Sequence, residues 1–562
     1  MKKYVSFLLA LMMVLAVMSP VALAAAATEE ITPIVYVRGN GEKIFNAEGK
    51  EVIADVGDIT LDTDGDGETT KDKIVEAVAN ILMPFLAEGL LIDKWDNYAK
   101  AIYEEISPLF KEAIMDKNGD PQYGTHVNPK TLAESEARAS KNIHNADGTY
   151  SYYTYGFVCD WRLDPYVNAD ALDKYITKVL ASTGKKQVSL TARCLGGSII
   201  NAYLERYGNK GHIKNVMYCD VLSEGCAVIS KGFSGQIDFD SKSIQRYEGQ
   251  LTYCDKIGYG ISFSVPVLAD EIIVRTLDLF TQVGVVDSLA ESIEALYARL
   301  YKALIPALFH SLGCASQPIY WTFVEEEDFD LALDVMFGEE GSETRKEFAG
   351  LIDRITYYRD HVTSQRDKLY AKFSAKKEDG GYGMHIGVIA KYGLLNPPAV
   401  KGYNELSDGL VSLKDSSFGA TCAEVGSKLT DDYISKRIAE GYGDYISTDK
   451  QVDTSTCTFP ETTWIVKNVQ HDDFDRTGKA LAEKFLNGTD VTVENSGFAR
   501  FRVNDYETLT VETMTEENCG DLEFISRPEE KPTTSTILAS LMRFLTSIMN
   551  FFRNLFSGKI SF

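Results

Sequence analysis

The sequence is short of positive charge, and this shortage limits the partners that the protein is expected to bind. Lysine and arginine number 57 against 82 aspartates and glutamates, so the 562-residue chain has a formal net charge of −25. Binding to nucleic-acid phosphates requires a basic surface, and the composition therefore argues against nucleic acid as a partner. Internal repeats are lacking, and a hydrophobic fraction of 44% indicates a globular chain rather than a disordered or fibrous one.

Long apolar runs are also scarce, and the run nearest the N-terminus has the form of a secretory signal peptide. Lys2 and Lys3 precede an almost wholly apolar run at 5–18, and residues 22–24 form a small-x-small cleavage site. We therefore expect residues 1–24 to direct secretion, and the alternative is an uncleaved anchor helix. No cysteine follows the run, which argues against a lipoprotein anchor, and no later run is long enough to cross a bilayer securely.

Apolar runs and amphipathic helices alternate through the rest of the chain, which predicts an α/β fold with a mainly parallel sheet flanked by helices. Strands are expected at 34–37, 187–191, 213–219, 386–390 and 463–466, and a helix at 195–207. The expected parts are a core in two pieces (31–235, with a polar and helical insertion at 46–150, and 381–487), a helical cap or lid (236–380), a small β-rich segment (488–530) and a linker with an amphipathic tail (531–562).

The segment at 188–198 predicts a strand, a sharp turn at Cys194 and then a helix. Ala192 and Gly196 stand two residues before and two residues after Cys194. This spacing fits a nucleophile elbow, where neighbouring backbones approach too closely for large side chains. The dipole of the following helix stabilises a thiolate at its N-terminus, and Arg193 adds to this effect if it points inward. The alternative is a buried structural cysteine. The chain has nine cysteines, so at least one thiol stays unpaired within it.

Four further segments resemble the motifs of lecithin:cholesterol acyltransferase-like lipases and occur in the same order. Residues 157–163, Phe-Val-Cys-Asp-Trp-Arg-Leu, are similar to a Tyr-Asp-Trp-Arg-Leu motif with Cys in place of Tyr. Residues 34–41 are similar to the first strand and oxyanion loop of the family, with Arg38 in place of His. Residues 407–413, Ser-Asp-Gly-Leu-Val-Ser-Leu, resemble the acid motif Asp-Gly-x-Val-Pro-Leu, and residues 469–473 match the region of the late catalytic histidine.

The resemblance covers 31–235 and 381–487 and implies an α/β-hydrolase with a helical cap. It implies Cys194 as nucleophile, His471 as base and Asp408 as acid, and their chain order is that of α/β-hydrolases. The implied oxyanion hole consists of amides at Leu195, Gly39 and Asn40, and the implied support of the substrate pocket consists of Asp160, Trp161 and Arg162. From the residues alone, Asp408 is also typical of a Ser-Asp-Gly turn, and His471 of a surface histidine at a helix start.

A cysteine nucleophile forms a thioester, which favours acyl transfer as well as hydrolysis. We therefore expect a secreted acyl-ester hydrolase (esterase or lipase) or acyltransferase that acts on lipid-like esters. The alternative is a non-catalytic protein that binds the cell envelope through a degenerate hydrolase scaffold. Nothing in the sequence indicates a nucleotide or redox cofactor.

One short acidic segment begins like a calcium-binding loop. Asp62, Asp64 and Asp66 occupy positions one, three and five, followed by Gly67 and Glu68. Position twelve is Lys rather than Glu, so an EF-hand is not completed. Two interpretations therefore remain open: a structural calcium ion held by Asp62, Asp64, Asp66 and Glu68, or a solvated turn.

Two apolar helical segments suggest contact with lipid. The segment at 265–312 falls where such lipases carry a lid, and the alternative is simple core packing. The tail at 537–562 has only Arg543, Arg553 and Lys559 as charged side chains. It suits a membrane surface or the cell envelope, and the alternative is a helix docked on the protein itself.

Overall fold

In the computed structural model of this protein, the described part of the chain covers both pieces of the predicted core. The described residues are 31–39, 42–53, 94–222, 224–236, 309–376, 383–396, 404–471, 473–474, 478–506 and 510–525, with a few single positions between them. The predicted signal peptide (1–24), the acidic loop (62–68), most of the expected lid (265–312), Asn40 and the tail (537–562) lie outside them.

Strands in the described part form one large sheet and two small ones. In chain order they are β1 (Ile34–Val37), β2 (Ile44–Phe45), β3 (Glu51–Ile53), β4 (His126–Val127), β5 (Tyr155–Phe157), β6 (Val188–Cys194), β7 (Ile213–Val221), β8 (His385–Tyr392), β9 (Thr421–Cys422), β10 (Val452–Asp453), β11 (Thr463–Lys467), β12 (Phe501–Asp505) and β13 (Thr510–Thr513). The large sheet has eight strands in the order β13-β12-β11-β8-β7-β6-β1-β5. All its neighbours are parallel except β12 and β13.

The central strands are buried on both faces. Every residue of β6, β8 and β11 is buried, including polar ones such as Arg193 and Lys391. Parallel strands are covered by helices on both sides, so they form nearly continuous apolar runs. Strand β6 was expected to end at residue 191 but runs on to Cys194, because a buried arginine interrupts the apolar pattern. The predicted α/β class, with a mainly parallel sheet flanked by helices, is confirmed.

Helices in the described part occupy both the core and the expected insertions. In chain order they are α1 (Asp96–Phe110), α2 (Pro129–Ala139), α3 (Pro165–Thr183), α4 (Gly196–Tyr207), α5 (Ala227–Phe233), α6 (Pro318–Trp321), α7 (Phe329–Phe337), α8 (Glu343–Glu347), α9 (Ala349–His361), α10 (Arg366–Ser374), α11 (Leu413–Ser416), α12 (Asp431–Ala439), α13 (Lys479–Asn487) and α14 (Val493–Ser496). Helix α3 begins at Pro165 and is capped by the Asp164 side chain, which accepts the N–H of Tyr166.

The segment at 488–530, expected to be β-rich, contains β12 and β13, and both strands extend the large sheet. The described end of the expected cap, at 309–376, is helical from α6 to α10. Within the described residues, no helix is long and apolar enough to cross a bilayer.

Candidate active site

Cys194 lies on a sharp turn between β6 and α4. Its φ is +50°, in the left-handed region that residues other than glycine seldom adopt. The strand ends at Cys194 and the helix begins at Gly196, so the thiol stands at a helix N-terminus. This strand–turn–helix geometry is that of a nucleophile elbow.

Gly196 packs against the loop that follows β1. A Cβ atom on Gly196 would lie 2.6 Å from the Val37 carbonyl oxygen and 3.1 Å from that of Arg38. It would also lie 3.3 Å from the Cβ of Ala192. The small residues on either side of Cys194 therefore permit this close approach. The same packing places the start of the loop, at Val37 and Arg38, against the first residue of α4.

Asp408 and His471 form a buried hydrogen-bonded pair. Nδ1 of His471 lies 2.7 Å from Oδ2 of Asp408, and the two side chains are 2% and 0% exposed. The other carboxylate oxygen, Oδ1, accepts the N–H groups of Leu410 at 3.0 Å and Val411 at 2.8 Å. His471 is therefore not a surface histidine. Asp408 does lie in a Ser-Asp-Gly turn, with Gly409 at φ +92°, and it also orients the imidazole.

The charges around His471 favour its protonated form. Burial by itself would lower the pKa of the imidazole, but the Asp408 carboxylate and the Cys194 thiol raise it well above its usual value. Burial likewise opposes ionisation of Asp408, but His471, the Val411 N–H and Lys391 hold its pKa below the usual value. Because Nδ1 of His471 is occupied by Asp408, Nε2 is the nitrogen left for the thiol.

Two buried cations contact the main chain of His471. Arg193 Nη2 donates to the His471 carbonyl oxygen at 2.7 Å, and Lys391 Nζ donates to the same oxygen at 3.1 Å. Lys391 also pairs with Asp220, with Nζ 2.5 Å from Oδ2 and both side chains 0% exposed. Arg193 thus points inward, towards the histidine loop. Sequence reasoning missed Lys391 and Asp220, and a lysine inside an otherwise apolar strand run is the signal that could have revealed them.

The segment with Asp160, Trp161 and Arg162 braces the loop that follows β1. Arg162 holds Asp160 through two hydrogen bonds, Nε to Oδ1 at 2.9 Å and Nη2 to Oδ2 at 2.7 Å. Trp161 Nε1 donates to the carbonyl oxygen of Glu42 at 3.2 Å. Glu42 in turn pairs with Arg38, where the family pattern has His. This segment therefore supports the predicted oxyanion loop.

Tyr320, at α6, is a neighbour of Cys194 that sequence reasoning missed. Burial raises its pKa well above the usual value, and the charges of Cys314 and Cys194 add to that rise. Its ring lies edge-on to Trp161, with the ring centroids 6.4 Å apart. The residue is separated from the elbow by more than a hundred positions, so no local pattern could have linked it to Cys194.

No metal-binding cluster occurs among the described residues. They contain no group of three or more His, Cys, Asp or Glu side chains arranged to hold a metal ion. Asp62, Asp64, Asp66 and Glu68 lie outside the described part, so the calcium loop stays a prediction. The described cysteines, which include Cys194, are free thiols.

Three features define an α/β-hydrolase-like fold: the strand order of the large sheet, the elbow that follows β6, and the acid–histidine pair in the loops after β8 and β11. No family model matches the chain, and no curated protein matches it. Comparison with solved structures finds "The crystal structure of Tle4-Tli4 complex", with 11% sequence identity and a TM-score of 0.22. That match covers 64% of this chain and 75% of the other chain, and at this TM-score it supports no argument.

Proposed function

We propose that this protein is an acyl-ester hydrolase or acyltransferase that uses Cys194, His471 and Asp408 as a catalytic triad. One observation carries the proposal: a buried histidine bonded to a buried carboxylate at 2.7 Å, with its charge coupled to a cysteine on a left-handed turn. Each residue comes from the end of a different strand of the large sheet or the loop that follows it. A purely structural cysteine requires neither the turn nor the neighbouring pair.

The proposed reaction begins with transfer of the thiol proton to Nε2 of His471, which the raised pKa of the imidazole favours, and the thiolate attacks the acyl carbonyl carbon. Amides at Leu195 and in the loop at Gly39 and Asn40 stabilise the oxyanion, at roughly 3 kcal/mol for each donor. The imidazolium then returns the proton to the leaving alkoxide, which leaves an acyl thioester on Cys194. Asp408 holds the working tautomer and stabilises the imidazolium.

In the second half-reaction, His471 deprotonates a water molecule or an acceptor alcohol, which attacks the thioester carbonyl. Collapse of this intermediate expels the Cys194 thiolate, which recovers its proton from His471. Water as the acceptor gives hydrolysis, and an alcohol gives acyl transfer. Product that forms in water alone indicates hydrolysis, and product that forms only when an alcohol is added indicates acyl transfer.

The proposed substrate is a lipid-like ester. Tyr320, whose charge interacts with that of Cys194, packs edge-on against Trp161, so aromatic side chains lie on this side of the thiol, and such surroundings suit an acyl chain. We further propose that residues 1–24 direct secretion and that the basic amphipathic tail at 537–562 associates with a membrane surface or the cell envelope. Both segments lie outside the described residues.

Active-site titration tests the proposal. The purified protein is treated with an activated acyl ester and, separately, with a thiol-directed probe, and the modified residue is mapped by mass spectrometry. We expect one acyl group per chain on Cys194, lost in His471→Ala and in Cys194→Ala. Cys219→Ala is the matched control, because burial raises the pKa of the Cys219 thiol to about 12.

An unreactive Cys194 in the folded protein would contradict the proposal. In that case the non-catalytic, envelope-binding function would be the better account. It predicts binding to cell envelopes that is lost when residues 537–562 are removed.

A further inference from the structure

The carbonyl oxygen of His471 accepts hydrogen bonds from two buried cations. Arg193 Nη2 lies 2.7 Å and Lys391 Nζ 3.1 Å from this one oxygen. A carbonyl oxygen has two lone pairs, so these two donors use its full capacity. Bonds from charged donors are stronger than those between neutral groups. The main chain at His471 is therefore held more firmly than a single neutral bond would hold it.

The two cations reach His471 from different parts of the sheet. Arg193 belongs to β6 and immediately precedes Cys194 in the chain. Its guanidinium also lies 4.9 Å from the ring centroid of Phe474, three residues beyond His471. One side chain thus connects the nucleophile turn directly to the segment that carries the base.

Lys391 belongs to β8 and is fixed by the carboxylate of Asp220, at the end of β7. Asp220 has a φ of +50°, the same left-handed value as Cys194. The ion pair is buried, so loss of one partner would leave an uncompensated charge in the core. Lys391 is therefore anchored in β7 and β8 while it bonds to the loop after β11.

Nearly all polar groups of His471 are hydrogen-bonded in these contacts. Its N–H donates to the Asp408 carbonyl oxygen at 3.0 Å, its Nδ1 pairs with Asp408 Oδ2, and its carbonyl oxygen takes both cations. Nε2 is the polar atom left to face Cys194. The imidazole consequently has little freedom to turn away from the thiol.

We propose that Arg193 and Lys391 are positioning residues that set the separation between the Cys194 thiol and the His471 imidazole. The inference rests on the proposed function, since it assigns these residues a role in the same triad. Neither cation touches the reacting atoms in this proposal. Each acts through the main chain of His471, and Asp220 acts one step further away, through Lys391.

The test is the pH profile of Cys194 alkylation by iodoacetamide in the full chain, which needs no acyl substrate. We expect the imidazole to act as the base for the thiol in the wild-type protein, so that alkylation proceeds below the pH at which ordinary thiols ionise, about 8.5. We expect Arg193→Gln and Lys391→Gln to lose this low-pH reactivity by about 10-fold to 100-fold, the effect of a small displacement of a catalytic group. At pH 10 the rates should converge.

The matched control is Lys467→Gln. Lys467 is also a buried lysine at the end of a sheet strand, but its partners are Asp449 and Asp521, at 2.8 Å and 2.7 Å. We expect this variant to keep the low-pH reactivity of Cys194. Arg193→Lys keeps the charge with a different reach, and it should restore part of the reactivity lost in Arg193→Gln.

A further double variant guards against simple misfolding. Asp220→Asn combined with Lys391→Met removes both members of the buried pair and leaves no unpaired charge. If this double variant and Arg193→Gln are folded and retain the wild-type profile, the positioning role is overturned. If His471→Ala leaves the wild-type profile unchanged, the triad itself fails. A profile that depends on His471 but not on Arg193 or Lys391 keeps the proposed function and removes only this inference.

Discussion

Asp408 and His471 are joined twice, once through side chains and once through the main chain. The N–H of His471 donates to the carbonyl oxygen of Asp408 at 3.0 Å, alongside the 2.7 Å contact between Nδ1 and Oδ2. Sixty-three positions separate the two residues in the chain. The main-chain bond does not depend on side-chain identity, so a conservative change at Asp408 tests the chemistry of the carboxylate separately from its position.

Asp408→Asn should therefore lower kcat strongly while the protein stays folded. An amide cannot stabilise the imidazolium and favours the wrong tautomer, which in triads of this kind costs on the order of 10⁴-fold in kcat. Steady-state hydrolysis of an activated ester measures the change. Asp453→Asn, at a buried acid bonded to Arg437, should leave kcat nearly unchanged. Equal losses in both variants would contradict the role of Asp408.

Gly196→Ala should disturb both stability and reactivity. The new Cβ would meet the Val37 carbonyl oxygen at 2.6 Å, and this backbone atom cannot rotate away. Overpacking of this kind typically costs about 1–3 kcal/mol of unfolding free energy. Urea denaturation measures that loss, and the rate of Cys194 acylation reports displacement of the loop after β1, which we propose to form part of the oxyanion hole. Gly156→Ala, where no atom lies within 4 Å of the added Cβ, is the control.

Arg162→Met should be much more destabilising than removal of an exposed ion pair. Arg162 is 0% exposed and Asp160 10%, so the change strands a buried carboxylate, at a cost of about 3–5 kcal/mol. Arg206→Met breaks a pair with Asp170 whose side chains are 34% and 43% exposed, at a cost below about 1 kcal/mol. Similar unfolding free energies for the two variants would show that the Asp160–Arg162 pair does not brace the loop.

Asp415 should make the protein less stable as the pH rises. Burial, reinforced by Glu405, Glu325 and Glu224, raises its pKa to about 8 in the folded state. The unfolded state releases this proton near pH 4, so between about pH 4 and pH 8 the folded state binds one more proton and stability falls with increasing pH. Asp415→Asn should flatten this part of the curve of unfolding free energy against pH. An unchanged slope would contradict the assignment.

The fold was largely predictable because its strands are short, apolar and separated by helices. The sequence pattern also singled out Cys194, Asp408 and His471, which end or follow β6, β8 and β11, and Asp408 and His471 form a hydrogen-bonded pair. Contacts between distant segments were not predictable. Tyr320 and Lys391 reach the site through tertiary packing. A lysine inside an apolar strand run indicates a buried ion pair, but nothing local identifies Asp220 or His471 as its partner.

The sequence pattern also predicted too early an end for β6, at residue 191 instead of Cys194. Arg193 looks like a boundary because arginine is seldom buried, but its guanidinium is held by the His471 carbonyl oxygen and the Phe474 ring. The segment at 488–530 contains β12 and β13, but nothing local indicates that β12 pairs with β11. β12 pairs with the edge of β11 that does not pair with β8.

The main-chain link between Asp408 and His471 has a practical consequence. Since the base and the acid hold each other without any contribution from the sulfur atom, removal of the thiol should leave the pocket assembled. Cys194→Ala would then separate recognition from turnover: it would retain an ester without consuming it. Such a trap would allow the natural ligand to be recovered from a mixture of lipids and identified directly.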